Sequence, residues 1–398
     1  MKKRLFSFLG HFVISFLIIV TLVVIGVFIY KPAISKAALT KIFRSQHDYI
    51  TNDNLTDDGP YLFEKKDSGW QASYFRKDGK EFIAASRTVK NGMKLPVYYY
   101  PDTLSFNVGI RDSFPVPAAE YEMPEKIVVI SDIEGKFKAF KDFLLSNKVI
   151  DEEFNWIFGE GHLVCLGDFI DRGYFDTQVL WLIHHLENQV AKRNGKVHFI
   201  LGNHEIMNLY GSCRYSEPKY FKVAENLGIR RYELYGENSY LGKWLRSKNS
   251  VERIGSLLFV HGGLHPDFLD YNHDLADYNE IIRNSFNLSG LKYKYQTNME
   301  ELLLSSRAPY WYRGYFSGEI TADTFAKICK KFACKRMIVG HTPQTKVKTY
   351  FDDKLIAIDV FHPDDKDKWT FPKLRPQGLM IKEGEIFKVT LNQKKPIK

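Results

Sequence analysis

Apolar and polar positions divide the chain into segments of different texture. Phenylalanine, valine, isoleucine and leucine run almost unbroken from Phe12 to Tyr30, and His11 is the only side chain between Leu5 and Tyr30 able to carry charge near neutral pH. Nineteen residues at a rise of about 1.5 Å span roughly 29 Å, the thickness of a hydrocarbon core. The pattern predicts a membrane-spanning anchor over residues 1–30. A cleaved signal peptide competes with it, with small residues at Ser35-Lys36-Ala37, but the apolar core of such a peptide is about 7–15 residues and this run is longer. Residues 31–58 read as a polar tether.

From Pro60 to Asp112 the apolar runs are short, aromatic and β-branched: Tyr61-Leu62-Phe63, Trp70 to Phe75, Phe82-Ile83, Val97 to Tyr100. They predict a small antiparallel β unit over 59–120, with Lys77-Asp78-Gly79-Lys80 and Lys90-Asn91-Gly92 as hairpin turns. Beyond Pro124 five runs of strand length each end in a polar loop. Lys126–Ile130 leads into Ser131-Asp132-Ile133-Glu134-Gly135, and Leu163–Leu166 into Gly167-Asp168-Phe169-Ile170-Asp171-Arg172-Gly173. Val197–Leu201 leads into Gly202-Asn203-His204-Glu205, Leu257–Val260 into His261-Gly262-Gly263, and Arg336–Val339 into Gly340-His341-Thr342-Pro343. Between them lie helical patterns, one at Phe140, Phe143 and Leu144, another starting near Asp176 with Val179, Leu182, Ile183, Leu186 and Val190 on one face. This is an α/β pattern, and ligands of such folds bind where the carboxyl ends of strands converge. The catalytic region is placed at 121–392, and the lysines from Lys394 to Lys398 read as a frayed end.

Composition narrows the partners. With 398 residues and 44% hydrophobic content the chain can bury a large core. Its net charge is +9, but seven positive charges precede the first acid, Asp48, which leaves only +2 for the rest. The high charge therefore belongs to the N-terminal segment, and no nucleic-acid partner is expected. Four cysteines without a CxxC pair read as packing residues. His184 and His185 are expected to be partly exposed on their helix, and His162, His198 and His265 to lie at the surface. Gly236 to Lys243 is not a phosphate-binding loop, because the glycine spacing is one residue too long and Trp244 follows the lysine. Tyr310, Trp311 and Tyr312 are expected in the core, or as an aromatic wall beside Arg313.

Two acids, an amide and two imidazoles at the ends of successive strands are a set able to hold metal ions. In order, Asp132-x-Glu134, Gly167-Asp168-x-x-Asp171-Arg172-Gly173, Gly202-Asn203-His204-Glu205, His261-Gly262-Gly263 and Gly340-His341-Thr342 resemble the motifs of calcineurin-like metallophosphoesterases. The nearer likeness is to the phosphoprotein phosphatase branch and, within it, to the bacterial Shewanella-like phosphatases, whose Pro-Leu-Trp-Tyr-Arg-Gly segment is similar to Pro309-Tyr310-Trp311-Tyr312-Arg313-Gly314. The likeness covers roughly residues 125 to 345. It implies a β-sandwich flanked by helices, here preceded by the transmembrane helix and the small β unit.

The resemblance also implies a two-metal site: Asp132 and Glu134 on one ion, Asn203, His261 and His341 on the other, and Asp168 bridging. Two divalent ions about 3.5–4 Å apart polarise a phosphate and lower the pKa of a bridging water. On the same likeness His204 is the general acid, kept cationic by Asp171, and Arg172 and Arg313 clamp the phosphoryl oxygens. One position departs from the family, which has Asp-x-His where this chain has Asp132-Ile133-Glu134. An all-carboxylate first site favours Mn²⁺, Fe or Mg²⁺ over Zn²⁺. The expected function is hydrolysis of phosphate monoesters by metal-activated water, with phosphoprotein (Ser/Thr or Tyr) as the substrate. Nucleotide, dinucleoside polyphosphate and lipid-linked phosphate are the alternatives. A reading of another class is a non-catalytic tethered binding module whose first metal site is weakened by Glu134. Lysine and arginine flank both ends of the apolar run, so charge hardly sets orientation; the expectation is a single-pass protein with its folded part outside the cytoplasm.

Overall fold

A computed structural model describes residues 34–35, 56–65, 69–78, 81–191, 193–286, 295–364, 370–371, 374–391 and 393–397. The expected anchor lies outside these residues. Among the described residues no helix is long and apolar enough to cross a membrane.

The β unit contains strands β1 (Asp58–Glu64), β2 (Trp70–Asp78) and β3 (Glu81–Val89) in one antiparallel sheet, and β4 (Lys94–Tyr99) with β5 (Leu104–Gly109) in a separate hairpin. β2 and β3 pair antiparallel, Asp78 opposite Glu81, and the turn residues Gly79 and Lys80 lie outside the described residues. Lys90-Asn91-Gly92 does not make a hairpin. It passes the chain from β3 to β4, which pair with different partners, and Gly92 N–H donates instead to Ile110 O at 2.8 Å.

The main body is a sandwich of two six-stranded sheets. Its strands are β6 (Glu120–Tyr121), β7 (Lys126–Ile130), β8 (His162–Leu166), β9 (Lys196–Ile200), β10 (Val251–Ile254), β11 (Leu257–Val260), β12 (Arg336–Val339), β13 (Lys348–Tyr350), β14 (Leu355–Ala357), β15 (Gln377–Lys382), β16 (Glu385–Thr390) and β17 (Lys394–Pro396). One sheet runs β9-β8-β7-β15-β16-β17, the other β13-β14-β12-β11-β10-β6. The lysines at Lys394 and Lys395 thus form an edge strand on β16 and are not frayed.

Alternation along the strands explains the layering. Ile127, Val129, Val164 and Leu166 turn inward to meet Leu257, Phe259, Ile338 and Ile356 of the facing sheet. Val128, Ile130, Leu163 and Cys165 turn outward into a second core, with Phe140 and Phe143 of α1 (Phe137–Ser146) and Leu182 and Leu186 of α2 (Asp176–Val190). Strands buried on both faces read as continuous apolar runs. That second core takes in Leu62, Trp70, Val97 and Phe106, so the β unit packs against the helical layer. Polar contacts secure it: Trp181 Nε1 donates to Pro60 O at 2.9 Å, Gln178 Nε2 to Tyr98 O at 3.1 Å and Asn188 Nδ2 to Gly109 O at 2.9 Å.

The covered outer face of α2 changes one expectation. His184 is fully buried among Trp181, Tyr240 and Trp244, and His185 is half-buried. His162 and His198 are also buried. His198 Nδ1 lies 2.6 Å from Glu252 Oε2 and its Nε2 3.0 Å from His162 Nδ1. The expected surface placement fails because a neighbouring strand supplies Glu252, and local sequence carries no trace of it.

Candidate active site

Strands β7, β8 and β9 are mutually parallel, as are β11, β12 and β14, so the loops after them gather at one edge of the sandwich. The sharp turns there need unusual backbone. Six of the described non-glycine residues with positive φ are Asp132 (55°), Glu134 (49°), Asp168 (59°), Asp171 (71°), Arg172 (62°) and His341 (63°). Left-handed conformation costs a side-chain-bearing residue about 1–2 kcal/mol, a cost that clusters at functional sites. Two glycines permit the close approach. Gly167, at φ 80°, lies so near the neighbouring loops that a Cβ would come within 2.5 Å of His261 Nδ1 and 2.7 Å of Gly202 N, and a Cβ on Gly340 would strike Ser131 Oγ and Asp132 Oδ2.

Glu205 holds the turn after β8. Its buried carboxylate accepts from the N–H groups of Asp168 (2.9 Å), Phe169 (2.8 Å), Ile170 (3.3 Å) and Gly202 (2.9 Å). It was visible in the sequence only as the last letter of a motif, without a role of its own.

Asp168 is at the centre. His204 N–H donates to its Oδ1 at 2.9 Å, and His261 Nε2 lies 3.0 Å from its Oδ2. His261 Nδ1–H donates to Leu166 O at 2.7 Å, which turns Nε2 toward Asp168 and toward Asn203 Oδ1, 3.2 Å away. The donor atoms of Asp168, His261 and His341 lie within 4.8 Å of one another. His341 Nε2 is buried and has no hydrogen-bond partner. Lone pairs of a carboxylate, an amide oxygen and two imidazoles thus converge on one buried point, as a divalent cation requires. Asp132 is also buried. Its Oδ2 accepts from Ser131 Oγ and, at 3.3 Å, from His341 N–H.

The electrostatics carry the same message. Burial, then neighbouring Asp359, pushes the Asp132 carboxyl well above its usual value. Burial would lower His261, but Asp168 and Asp132 raise it to about 10. Carboxylates crowded out of water need protons or cations.

His204 is placed apart from this group. Its Nδ1 lies 2.8 Å from Asp171 Oδ2, which Asn208 Nδ2 also reaches at 2.9 Å, and its Nε2 is 3.9 Å from Asp168 Oδ2. Burial would lower its pKa, but Asp168 and Asp171 raise it above the ordinary value, so the imidazolium is favoured. Arg172 is exposed and ion-paired with Glu134, its guanidinium 5.0 Å from the Tyr215 ring. Glu134 also pairs with Lys136 at 2.7 Å. Burial opposes its ionisation, yet Lys136 and Arg172 hold it down to about 2. Arg313 is exposed and has Nη2 3.4 Å from His341 Nδ1.

Of the aromatic triplet, Tyr310 and Tyr312 are buried, whereas Trp311 is half-buried and edge-on to His341 with centroids 5.4 Å apart. Tyr215, not singled out from the sequence, lies 5.0 Å from His204. Nothing in the Arg214-Tyr215-Ser216 stretch signals this.

A sandwich that brings six parallel-strand ends to one edge, with an imidazole acid beside a carboxylate–imidazole metal cradle, defines a metal-dependent phosphoester hydrolase. The chain belongs to the calcineurin-like phosphoesterase family, whose model matches residues 125–345, more than half of its length and the range of the motif resemblance. Shewanella-like protein phosphatase 1 of Plasmodium berghei is 30% identical over 245 residues, covering 59% of this chain and 66% of that protein. Shewanella-like protein phosphatase 2 of Arabidopsis thaliana is 25% identical over 297 residues, covering 60% and 72%. Among solved structures, a cold-active protein-tyrosine phosphatase of a psychrophilic Shewanella species is similar at a TM-score of 0.75 and 27% identity, covering 86% of this chain and 100% of that one.

Proposed function

We propose that this chain is a membrane-tethered two-metal phosphatase that removes phosphate from phosphoproteins. One observation carries the reading: the buried His204–Asp171 pair presents Nε2 at the edge of the convergent Asp168–His261–His341 group. An acid and a metal cradle that share one carboxylate suit in-line hydrolysis of a monoester. Asp132, Asp168, Asn203, His261 and His341 would hold divalent ions, which when bound polarise the phosphate and acidify water. Mn²⁺ or Fe is the preferred occupant, with Mg²⁺ or Zn²⁺ as lesser choices, because three of these five donors are oxygens, two of them carboxylates.

The chain's own groups do the rest. Arg172, beside Glu134, and Arg313, beside His341, grip the phosphoryl oxygens with planar forks. His204 gives its Nε2 proton to the leaving oxygen, and Asp171 and Asn208 keep Nδ1 engaged so that Nε2 faces the substrate. Tyr215 and Trp311 flank this centre at about one ring's distance from His204 and His341, a slot suited to an aryl leaving group. Together with the solved relative that is a protein-tyrosine phosphatase, this favours phosphotyrosine over phosphoserine. The apolar run from Phe12 to Tyr30 supports a single-pass anchor.

The full chain in detergent should hydrolyse p-nitrophenyl phosphate with Mn²⁺, lose that activity to chelator, and prefer phosphotyrosine to phosphoserine peptides and to nucleotide or lipid phosphates under one metal condition. Absence of turnover above a His204→Ala control would sink the enzyme reading. Extraction of the protein from membranes by salt alone would sink the anchor.

A further inference from the structure

A sixth strand end meets the site, and no motif marks it. β14 runs parallel to β12 with Val339 opposite Ala357, and Ile358 N–H donates to Val339 O at 2.8 Å. Two residues further along, Asp359 therefore stands alongside His341. Its backbone is fixed, because Asp359 O accepts from Gln344 N–H at 2.8 Å. Its side chain is only 7% exposed, yet it makes no hydrogen bond or ion pair among the described residues. The charged groups that act on it are Glu134, His261, Asp168 and Lys136, and Asp359 is the foremost charged neighbour of Asp132. A buried, unpartnered carboxylate among other carboxylates is costly unless a cation joins them.

Glu134 answers a different demand. Both of its oxygens are taken, Oε1 by Arg172 and Oε2 by Lys136 at 2.7 Å. Lys136 follows it by two residues, so the tie is built into the loop.

We propose that Asp359 is a ligand of the first metal site, supplying with Asp132 and Asp168 the anionic set that Glu134 does not, while Glu134 positions Arg172 for the phosphate. The proposal rests on the two-metal reading above. It accounts for the family's missing first-motif histidine without a weakened site: the ligand comes from a different strand. It also makes that site purely oxygen-lined, whereas the second keeps its two imidazoles.

Mn²⁺ binding to the purified full chain tests both, by calorimetric titration and by counting bound metal after desalting. Wild type binding no Mn²⁺ overturns the two-metal reading and this proposal with it. With two ions bound by wild type, Asp359→Asn should retain one and weaken the other by about 10–100-fold, the size of effect seen when the surroundings of a metal ligand are altered. Glu134→Gln should keep both ions at unchanged Kd and instead raise KM for p-nitrophenyl phosphate. Unchanged affinities in Asp359→Asn, or loss of an ion in Glu134→Gln, overturn the assignment. Melting without metal guards against misfolding. Removing an unpartnered buried charge should leave the apo melting temperature undiminished and shrink only its rise on adding Mn²⁺. Should Asp359→Asn not fold, Asp359→Glu replaces it, with altered Mn²⁺ affinity as the supporting result and wild-type affinity as the overturning one.

Discussion

Two clusters of buried charge are built on opposite plans. Beneath the β unit, Asp58 and Lys219 pair at 2.8 Å with both side chains fully buried. Both carboxylate oxygens of Asp58 are answered: Oδ2 also accepts from Tyr61 OH at 2.8 Å, and Oδ1 from Gly59 N–H at 2.8 Å and Gln178 Nε2 at 3.2 Å. Lys219 reaches Tyr174 O as well. At the strand ends, by contrast, Asp171 Oδ1 and His341 Nε2 are buried with no partner, and the Asp359 carboxylate is likewise unengaged among the described residues. A closed network specifies a fold, whereas an open one at a strained set of turns is held ready for something else. The difference separates the residues that keep the β unit in place from those that do chemistry, although all of them are buried acids and bases.

The largest effect should come from the open cluster. His204→Gln keeps the volume and a hydrogen bond to Asp171 but cannot carry the proton. Its kcat on p-nitrophenyl phosphate should fall by about 10²–10⁴-fold while its melting temperature stays at the wild-type value. A loss under tenfold with an alkyl or aryl ester would show that the leaving oxygen does not need this proton.

The closed cluster should behave in the reverse sense. Lys219→Met leaves Asp58 buried without its counter-charge, and removing one partner of a buried pair costs about 3–5 kcal/mol. Urea unfolding should show that loss, with kcat per folded molecule unchanged. The double variant Asp58→Asn with Lys219→Met should recover much of it, since no charge is then left alone. A Lys219→Met enzyme that is stable but inactive would erase the distinction between the two clusters.

The open cluster was legible in the sequence and the closed one was not, for a physical reason. Each strand-end loop carries its signature locally, because the chain must turn sharply where the ligands sit: three have a glycine directly before Asp168, Asn203 or His341, and the other two a glycine shortly after Asp132 or His261. Five ordered loops then located the site, and the family resemblance they carry implied the sandwich beneath it. Asp359 escaped because β14 is only three residues long and runs on into Ile358, with no glycine to punctuate it. Asp58 and Lys219 are 161 positions apart and meet only because the β unit folds back over α2. Tyr240 and Trp244, also distant along the chain, bury His184, which was expected to be partly exposed. Periodicity reports that a helix has an apolar face, and it is silent on whether a second layer comes to lie on the other.

That second layer gives the smallest and most specific expectation. His184 has its ring nitrogens 3.1 Å from Tyr240 OH and 3.3 Å from Asn188 Nδ2. Burial, with Arg111 and Lys248 adding repulsion, lowers its pKa well below the ordinary 6.5. The folded protein therefore holds it neutral while the unfolded chain protonates it, so the unfolded state binds more protons below pH 6.5 and stability falls as pH drops through that value. At pH 5.5 one such group costs about 1.4 kcal/mol relative to neutral pH. Urea unfolding at pH 7.5 and 5.5 isolates this contribution by comparison with His184→Gln, whose amide cannot titrate. Carboxylates and the other histidines act alike in both proteins and cancel. The wild-type loss between the two pH values should exceed that of the variant by about that amount. Equal losses would mean that His184 takes up its proton without unfolding, and that Tyr240 and Trp244 close over its ring less tightly than their contacts with it require.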